Sequence, residues 1–248
     1  MKFYEFDEKE KRVDIFNERF YRRDIDGSTK WYRNVTTILG IISKGYQFDE
    51  WLKNNGHNTE IILDRAGRFG TMFHGMVETF LKGGTVNYYD YNGLGEQVST
   101  SLWERFSLWH DFWVELNAEH EVTYKPEGIE YIVYNDQYEY AGTVDFICRI
   151  DGELQIFDWK TSNNIYNSYH QQMIAYMNPL GIKKANLAWF PASKPNKKGY
   201  RIIPVEYSEE KFDLFIATKK VFDSENKDEP KFLTLPLSYS KEGSNEKN

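Results

Sequence analysis

Apolar residues follow a helical rhythm in the first half of the chain. After Gly70 they recur every three or four positions, which predicts a helix with one apolar face, and Gly83-Gly84 predicts its end. The same spacing predicts shorter helices near 35–39 and 48–52 and a long aromatic-rich helix over about 94–116. The apolar stripe after Gly70 consists of Met72, Phe73, Met76, Val77, Phe80 and Leu81.

The pattern changes to alternation after the long helix. Between 121 and 161 apolar and polar residues alternate, which predicts strands, with turns at Asn135-Asp136 and Asp151-Gly152. Helices, a meander, a crossover helix and further strands in this order predict an α/β fold, with α+β as the alternative. The last predicted elements are a helix over about 164–177 that Pro179 stops, strands near 185–190 and 200–205, and a helix over about 208–222.

The composition supports one domain with two less regular ends. A chain of 248 residues with 40% hydrophobic residues can bury a substantial core without covalent cross-links. We expect a single domain over 1–222, in which 1–35 form an irregular or β-like arm. The segment 223–248 is rich in Ser, Asn, Lys and Glu and is expected to be a loosely ordered polar tail.

Cysteine content and hydropathy restrict the cofactors and the setting. The single cysteine, Cys148, excludes a disulfide framework and any zinc or iron–sulfur site made of several thiolates within one chain. The N-terminus shows no basic region followed by an apolar run, and no stretch has the length of a membrane helix. The sequence therefore predicts a cytoplasmic protein with no membrane partner.

Charge gives a weaker signal. The net charge of -7 argues against a protein that coats nucleic acid nonspecifically, because such proteins usually carry net positive charge. Between Gly181 and Arg201, however, no acidic residue interrupts a basic segment that could contact a phosphate backbone or could be an ordinary solvated loop. Its members are Lys183, Lys184, Lys194, Lys197, Lys198 and Arg201.

The strongest chemical signal is a hairpin that carries two aspartates. A two-residue turn at Asp151-Gly152 would place Asp145 directly opposite Asp158. Opposed side chains share one face of a sheet, with Cβ atoms about 5 Å apart, where two like charges repel each other. Such a pair is expected to hold a cation between its members.

Lys160 is expected to point the same way as Asp158, because side chains alternate along a strand. Two carboxylates and an ammonium group then converge, and hard oxygen ligands at this density suit Mg²⁺ or Mn²⁺. Such an ion would polarise a phosphoryl oxygen and activate a water molecule, while Lys160 would position that water or the phosphate. A surface hairpin with solvated charges is the alternative, and a short Asp-x-Lys pattern taken alone favours it.

Two helices extend this candidate site. His74 lies at the edge of the apolar stripe and could supply an imidazole ligand, although a lone helical histidine is more often a boundary residue. Tyr169, Gln172 and Tyr176 are spaced to share one helix face, where they could hydrogen-bond a phosphate or stack on a base. Core packing explains the two tyrosines equally well but does not explain Gln172.

Together these motifs resemble the PD-(D/E)XK nuclease superfamily over about 35–176, and within it the RecB-like branch of mitochondrial genome maintenance exonucleases and many phage nucleases. Val144 stands where the superfamily's name has proline, and the four cysteines of the branch's iron–sulfur members are absent. The matching segments are Arg68–His74 for the helix with the metal-binding histidine, Ala141–Asp145 for motif II, Asp158–Ser162 for motif III and Gln172–Tyr176 for the Gln-x-x-x-Tyr signature.

The resemblance implies a restriction-endonuclease-like central mixed β-sheet flanked by α-helices. It implies Lys160 beside the attacking water, Glu130 as a possible acidic support, and no iron–sulfur cluster. The implied ligands of Mg²⁺ or Mn²⁺ are His74, Asp145, Asp158 and the main-chain carbonyl of Trp159. The residues expected to contact DNA are Arg68, Thr161, Tyr169, Gln172 and Tyr176.

These expectations favour a Mg²⁺-dependent deoxyribonuclease. The resemblance alone favours an exonuclease that acts on single-stranded or duplex DNA ends in recombination, repair or replication. A structure-specific or restriction-type endonuclease with the same site is one alternative. A noncatalytic DNA-binding subunit that retains the fold is another, and the presence of all four central site residues argues against it.

Overall fold

The centre of the molecule is a mixed β-sheet of nine strands within the residues that the structure describes. That structure is a computed structural model, and it describes residues 12–15, 18–192 and 195–226. The strands are β1 (Arg12–Ile15), β2 (Glu18–Ile25), β3 (Ser28–Asn34), β4 (Val122–Thr123), β5 (Ile129–Asn135), β6 (Tyr140–Ile150), β7 (Glu153–Lys160), β8 (Lys184–Trp189) and β9 (Arg201–Glu206). β3–β6 and β7–β8 are parallel pairs and the others are antiparallel.

Helices pack on both faces of this sheet, which confirms the predicted α/β architecture. One face carries α1, α5 and α6, and the other carries α3 and α4. α2 contributes no buried residue. The helices are α1 (Val35–Leu39), α2 (Tyr46–Asn55), α3 (Thr59–Leu81), α4 (Glu96–Glu119), α5 (Asn167–Leu180) and α6 (Glu209–Glu225), with short 3₁₀ segments at Gly56–Asn58, Tyr88–Leu94 and Pro126–Gly128.

β6 organises the sheet, because its neighbours change along its length. On one edge it pairs first with β5 and then with β4. On the other edge β3 pairs with Tyr140 and Ala141, whereas β7 pairs with residues 146–150. Within the described chain, residues 142–145 have no strand beside them on this second edge. Asp145 therefore stands in a fork between β3 and β7.

The alternation of side chains is interrupted where β5 and β6 meet this fork. Val144 and Phe146, two positions apart on β6, pack in the cores on opposite faces of the sheet. The register of the two strands places Glu130 opposite Asp145, and Glu130 has a φ of 54°. That left-handed conformation is uncommon outside glycine. The side chains before and after Asp145 on β6 therefore do not follow one continuous alternation between the two faces of the sheet.

Both ends of the expected domain include regular secondary structure among the described residues. Within the expected arm, 12–15 and 18–34 contain β1, β2 and β3, which extend the central sheet, and 1–11 and 16–17 lie outside the described residues. α6 runs to Glu225, so it includes the start of the expected tail, and 227–248 also lie outside. In the described ranges no helix combines the length and the apolar character needed to cross a membrane.

α5 continues through Pro179, which we expected to stop it. A proline lacks the N–H that would bond the carbonyl four residues earlier, here that of Ala175. The Tyr140 hydroxyl donates a hydrogen bond of 2.9 Å to this carbonyl instead, so the last turn keeps its backbone satisfied. Gly181, with a φ of 64°, then ends the helix in a left-handed cap.

Candidate active site

The hairpin at Asp151-Gly152 has the predicted turn and register. Both turn residues have positive φ, 51° and 82°, as a two-residue turn of this kind requires. Ile150 lies opposite Glu153, and the ladder continues to the pair of Phe146 and Phe157. The ladder ends at that pair. Asp145 on β6 and Asp158 on β7, the next residue on each strand, contact different side chains.

Asp145 joins β6, β7 and α3 at the fork. Its Oδ2 accepts a hydrogen bond of 2.7 Å from the backbone N–H of Trp159, and its Oδ1 lies 3.4 Å from Nδ1 of His74. His74 lies next to Phe73, whose buried ring packs in the core beneath α3. The imidazole is thus fixed at the rim of a packed helix and directed at a buried carboxylate.

The second ring nitrogen of His74 fixes the ring's orientation. Nε2 lies 3.0 Å from the main-chain carbonyl of Trp159, and because a carbonyl only accepts, this nitrogen carries the hydrogen. Nδ1 is the nitrogen that remains to bind an ion. Metal-binding histidines are commonly oriented by a carbonyl in this way. The Trp159 carbonyl, expected as a metal ligand, contacts this nitrogen of the imidazole, and its role as a ligand stays a prediction.

Glu130 completes a group of three possible ligands. Donor atoms of His74, Glu130 and Asp145 all lie within 4.8 Å of one another. Two carboxylates and one imidazole form a mixed oxygen and nitrogen donor set that suits Mn²⁺ and accommodates Mg²⁺. The donors present therefore fit a divalent cation. Asp158, expected as a ligand, is not among these three residues.

Asp158 is held by the elements on the other side of the site. Its Oδ2 forms an ion pair of 2.6 Å with Nζ of Lys160, and its Oδ1 accepts a hydrogen bond of 2.9 Å from Nε2 of Gln172. Nζ of Lys160 also donates to Oε1 of Gln172 over 3.1 Å. The Gln172 amide therefore bridges the carboxylate and the ammonium group and fixes their relative position.

The charges of the site influence one another strongly. Burial disfavours a charged imidazole, but the Asp145 carboxylate outweighs it and raises the pKa of His74 to about 9. Burial, reinforced by Asp145, raises the pKa of Glu130 to about 8. At neutral pH the His74 imidazolium thus compensates the Asp145 carboxylate, while Glu130 is largely protonated. A bound cation would take over that role.

Asp158 and Lys160 form a second charged unit. Burial raises the pKa of Asp158 to about 6, although Lys160 opposes the shift. Burial alone would lower the pKa of Lys160, but Asp158 and Asp145 raise it above its ordinary value. Both groups are therefore ionised at neutral pH, with a carboxylate more basic than a free aspartate.

The other residues expected at the site lie at different depths. Tyr169 lies beneath Lys160, whose Nζ is 4.5 Å from the ring centroid. Tyr176 is buried, and its hydroxyl accepts a hydrogen bond of 3.1 Å from Nε2 of Gln172. Tyr176 thus supports Gln172, and the DNA contact expected of it does not follow from this position. Thr161 is half-buried near Gly70 of α3, and Arg68 is exposed and paired with Asp64 over 2.6 Å.

Three lysines of the basic segment at 181–201 have contacts of their own. Lys184 begins β8 opposite Gln155, at the other end of β7 from Lys160. It is paired with Glu153, and Lys198 is paired with Glu115. Lys183 lies over the ring of Tyr207. Arg201 begins β9 opposite Trp189, which itself lies opposite Lys160, and Lys194 lies outside the described residues.

No family model matches the chain, and no curated protein matches it. Solved structures with similarity to it include an alkaline exonuclease, LHK-Exo, from Laribacter hongkongensis, which is 9% identical with a TM-score of 0.41 over 79% of this chain and 88% of that one. LHK-Exo in complex with dAMP is 11% identical with a TM-score of 0.38 over 63% of this chain and 79% of that one. The choice of an activity rests on the side chains described above.

Proposed function

We propose that this protein is a metal-dependent nuclease that hydrolyses phosphodiester bonds in DNA. The observation that carries the proposal is the approach of His74, Glu130 and Asp145 within 4.8 Å, beside a buried pair of Asp158 and Lys160. Buried carboxylates rarely gather unless a cation compensates them. A divalent ion bound there would neutralise phosphate charge and lower the pKa of a bound water molecule.

The chain's own residues supply the remaining chemistry. Lys160 is an ammonium group held by Asp158 and Gln172, so it can hydrogen-bond a non-bridging phosphate oxygen or the attacking water without rearranging. Asp158 is ionised at neutral pH, and its carboxylate keeps the Lys160 ammonium group charged and in position. Tyr176 holds the Gln172 amide that keeps both groups in place.

We further propose that the enzyme is an exonuclease that uses Mg²⁺ or Mn²⁺ and acts on DNA ends in recombination, repair or replication. The oxygen-rich donor set supports the choice of ion. The resemblance of the Arg68–His74, Asp158–Ser162 and Gln172–Tyr176 segments to the RecB-like branch supports the preference for ends.

The test compares two aspartates of the same hairpin. Asp158→Asn removes a charge from the site, whereas Asp151→Asn changes an exposed turn residue that pairs with His120. Asparagine tolerates the left-handed backbone of position 151, so that control should fold normally. With 5′- or 3′-labelled DNA and Mg²⁺, Asp158→Asn should lose about 10³-fold in rate, and Asp151→Asn should cleave like the wild type.

Three outcomes would count against the proposal or refine it. Activity in purified Asp158→Asn within about tenfold of the wild type would refute the assigned site. Cleavage that survives a chelator would refute metal dependence. Nicking of circular single-stranded DNA would replace the exonuclease with an endonuclease, because an obligate exonuclease cannot begin on a circle.

A further inference from the structure

A series of four partly exposed aromatic rings leads away from Lys160. It consists of Tyr169, Tyr166, Phe48 and Trp51, and we refer to it as the aromatic track. Neighbouring ring centroids lie 5.5 Å apart from Tyr169 to Tyr166, 6.4 Å from Tyr166 to Phe48 and 5.6 Å from Phe48 to Trp51. The first ring lies under the ammonium group of Lys160, so the track begins inside the proposed active site.

Packing of α2 does not account for this arrangement. None of the ten residues of α2 is buried, and the buried residues of α3 all lie in its second half, from Phe73 onward. Phe48 and Trp51 keep part of their ring surface accessible although they contact other rings. The two rings stack on each other at an interplanar angle of 20°, and Phe48 meets Tyr166 edge-on at 78°. Partly exposed aromatic side chains beside a reactive centre are the kind of surface on which unpaired bases stack.

Positive charge accompanies the rings. Nζ of Lys44 lies 4.6 Å from the centroid of Phe48 and 5.5 Å from that of Tyr166. Among the described residues Lys44 makes no ion pair, whereas Glu50 on α2 is paired with Lys53. Lys160 therefore supplies a cation at the first ring of the track, and Lys44 supplies one beside its two middle rings. Bases that stack on the rings would bring their phosphates toward these two groups.

We propose that the aromatic track binds a single-stranded DNA end by base stacking and delivers its phosphodiester to Lys160. The proposal rests on the proposed nuclease function and specifies its substrate. A base can offer its face to a protein ring only when it is unpaired and unstacked from its neighbours. A blunt duplex does not offer such bases, so the track favours single strands over duplex ends.

The test measures binding and hydrolysis separately. Binding of a fluorescein-labelled single-stranded oligonucleotide is followed by anisotropy in Ca²⁺, and hydrolysis of the same strand is followed in Mg²⁺. Trp51→Leu keeps apolar volume but removes the ring face, whereas Trp51→Phe keeps a ring. We expect Trp51→Leu to weaken single-strand binding about tenfold and Trp51→Phe to stay within about threefold of the wild type.

A matched control changes an aromatic residue away from the track. Tyr89 is 79% exposed and lies in the 3₁₀ segment before α4. Tyr89→Ala should bind the oligonucleotide like the wild type. A blunt duplex should bind at least about tenfold more weakly than the single strand, and Trp51→Leu should not weaken it further.

The outcomes for the two proposals are distinguishable. Thymidine 5′-monophosphate p-nitrophenyl ester tests the chemistry without a strand, so Trp51→Leu should hydrolyse it at the wild-type rate. A wild type that cleaves neither this ester nor DNA contradicts the nuclease, and the anisotropy result still decides the track. Unchanged single-strand binding in folded Trp51→Leu, or equal affinity of the wild type for blunt duplex, overturns the track.

Discussion

The acidic residues of the site are held in two different ways. Glu130 and Asp145 lie with the His74 imidazole, whose pKa of about 9 makes it positively charged at neutral pH. Asp158 is instead compensated by the ammonium group of Lys160 at 2.6 Å. A cation that enters the first group replaces a proton, whereas Asp158 already has its counter-ion. The two groups should therefore contribute unequally to ion binding.

Removing the Glu130 carboxylate should weaken ion binding more than removing that of Asp158. We expect Glu130→Gln to lower the affinity for Mn²⁺ by at least about tenfold in isothermal titration calorimetry, because one of three donors loses its charge. Asp158→Asn should bind the first ion within about threefold of the wild type, although it loses activity.

The control for this comparison is Glu139→Gln. Glu139 has the same φ as Glu130, 54°, but is exposed and paired with Lys30. Its replacement should leave Mn²⁺ affinity unchanged. If Asp158→Asn abolishes binding and Glu130→Gln does not, the ligand set expected from sequence is the correct one.

Among the elements, α5 depends on a contact from a distant strand. Pro179 leaves the Ala175 carbonyl without its helical partner, and the Tyr140 hydroxyl of β6 donates to it over 2.9 Å. The same helix carries Gln172 and Tyr176 into the site. A buried carbonyl without a donor costs about 1–3 kcal/mol, so this hydroxyl contributes to the stability of the helix that positions Lys160.

A double-mutant cycle tests this contact through the free energy of unfolding in urea. Tyr140→Phe should destabilise the protein by about 1–3 kcal/mol. In a Pro179→Ala background, the new N–H at position 179 can bond the Ala175 carbonyl, so the same change should cost about 1 kcal/mol less. Tyr138→Phe, at a partly exposed position of β6's preceding turn, should show no coupling to Pro179→Ala. Strict additivity of Tyr140→Phe and Pro179→Ala would contradict the assigned role.

Elements with local causes could be predicted from the sequence, and those with distant causes could not. The Asp151-Gly152 hairpin fixes its own register, so the positions of Asp145 and Asp158 along their strands follow from a short segment. The pairing of β3 with β6 joins Arg33 to Tyr140, which no local pattern signals. The early start of α3 is also hidden, because its first half buries no apolar face.

The same distinction applies to the candidate site. Spacing on α5 correctly groups Tyr169, Gln172 and Tyr176 on one face, because helical periodicity is local. Glu130 could be named from resemblance, but its approach to Asp145 depends on the register of β5 across a four-residue connection at 136–139. A connection of that length permits more than one register, so the sequence gives no unique partner.

At the scale of the whole molecule, the net charge of -7 opposes the approach of DNA. Among the described residues, Lys44 and Lys160 are the cations that lie over rings of the proposed aromatic track. Most of the binding free energy along the track would therefore come from stacking, which salt screens little. The affinity of such a protein for a single strand should depend less on salt concentration than that of a protein whose groove is lined with arginine and lysine.

The salt dependence of single-strand binding tests that distinction. Two neutralised phosphates predict a slope of about −1.4 when the logarithm of the association constant is plotted against that of salt concentration. Lys44→Gln should reduce the slope to about −0.7, whereas Lys53→Gln, whose ammonium is paired with Glu50, should not change it. A slope steeper than about −4 would mean that phosphate contacts elsewhere dominate.

The backbone at Glu130 has a consequence for how this protein could evolve. A non-glycine residue in the left-handed region carries about 1 kcal/mol of strain, and here the side chain is also a half-buried acid beside Asp145. Glu130→Gly would relieve both burdens and remove an ion-binding group in the same step. Under the proposed function, thermal stability and turnover therefore place opposite demands on this one position.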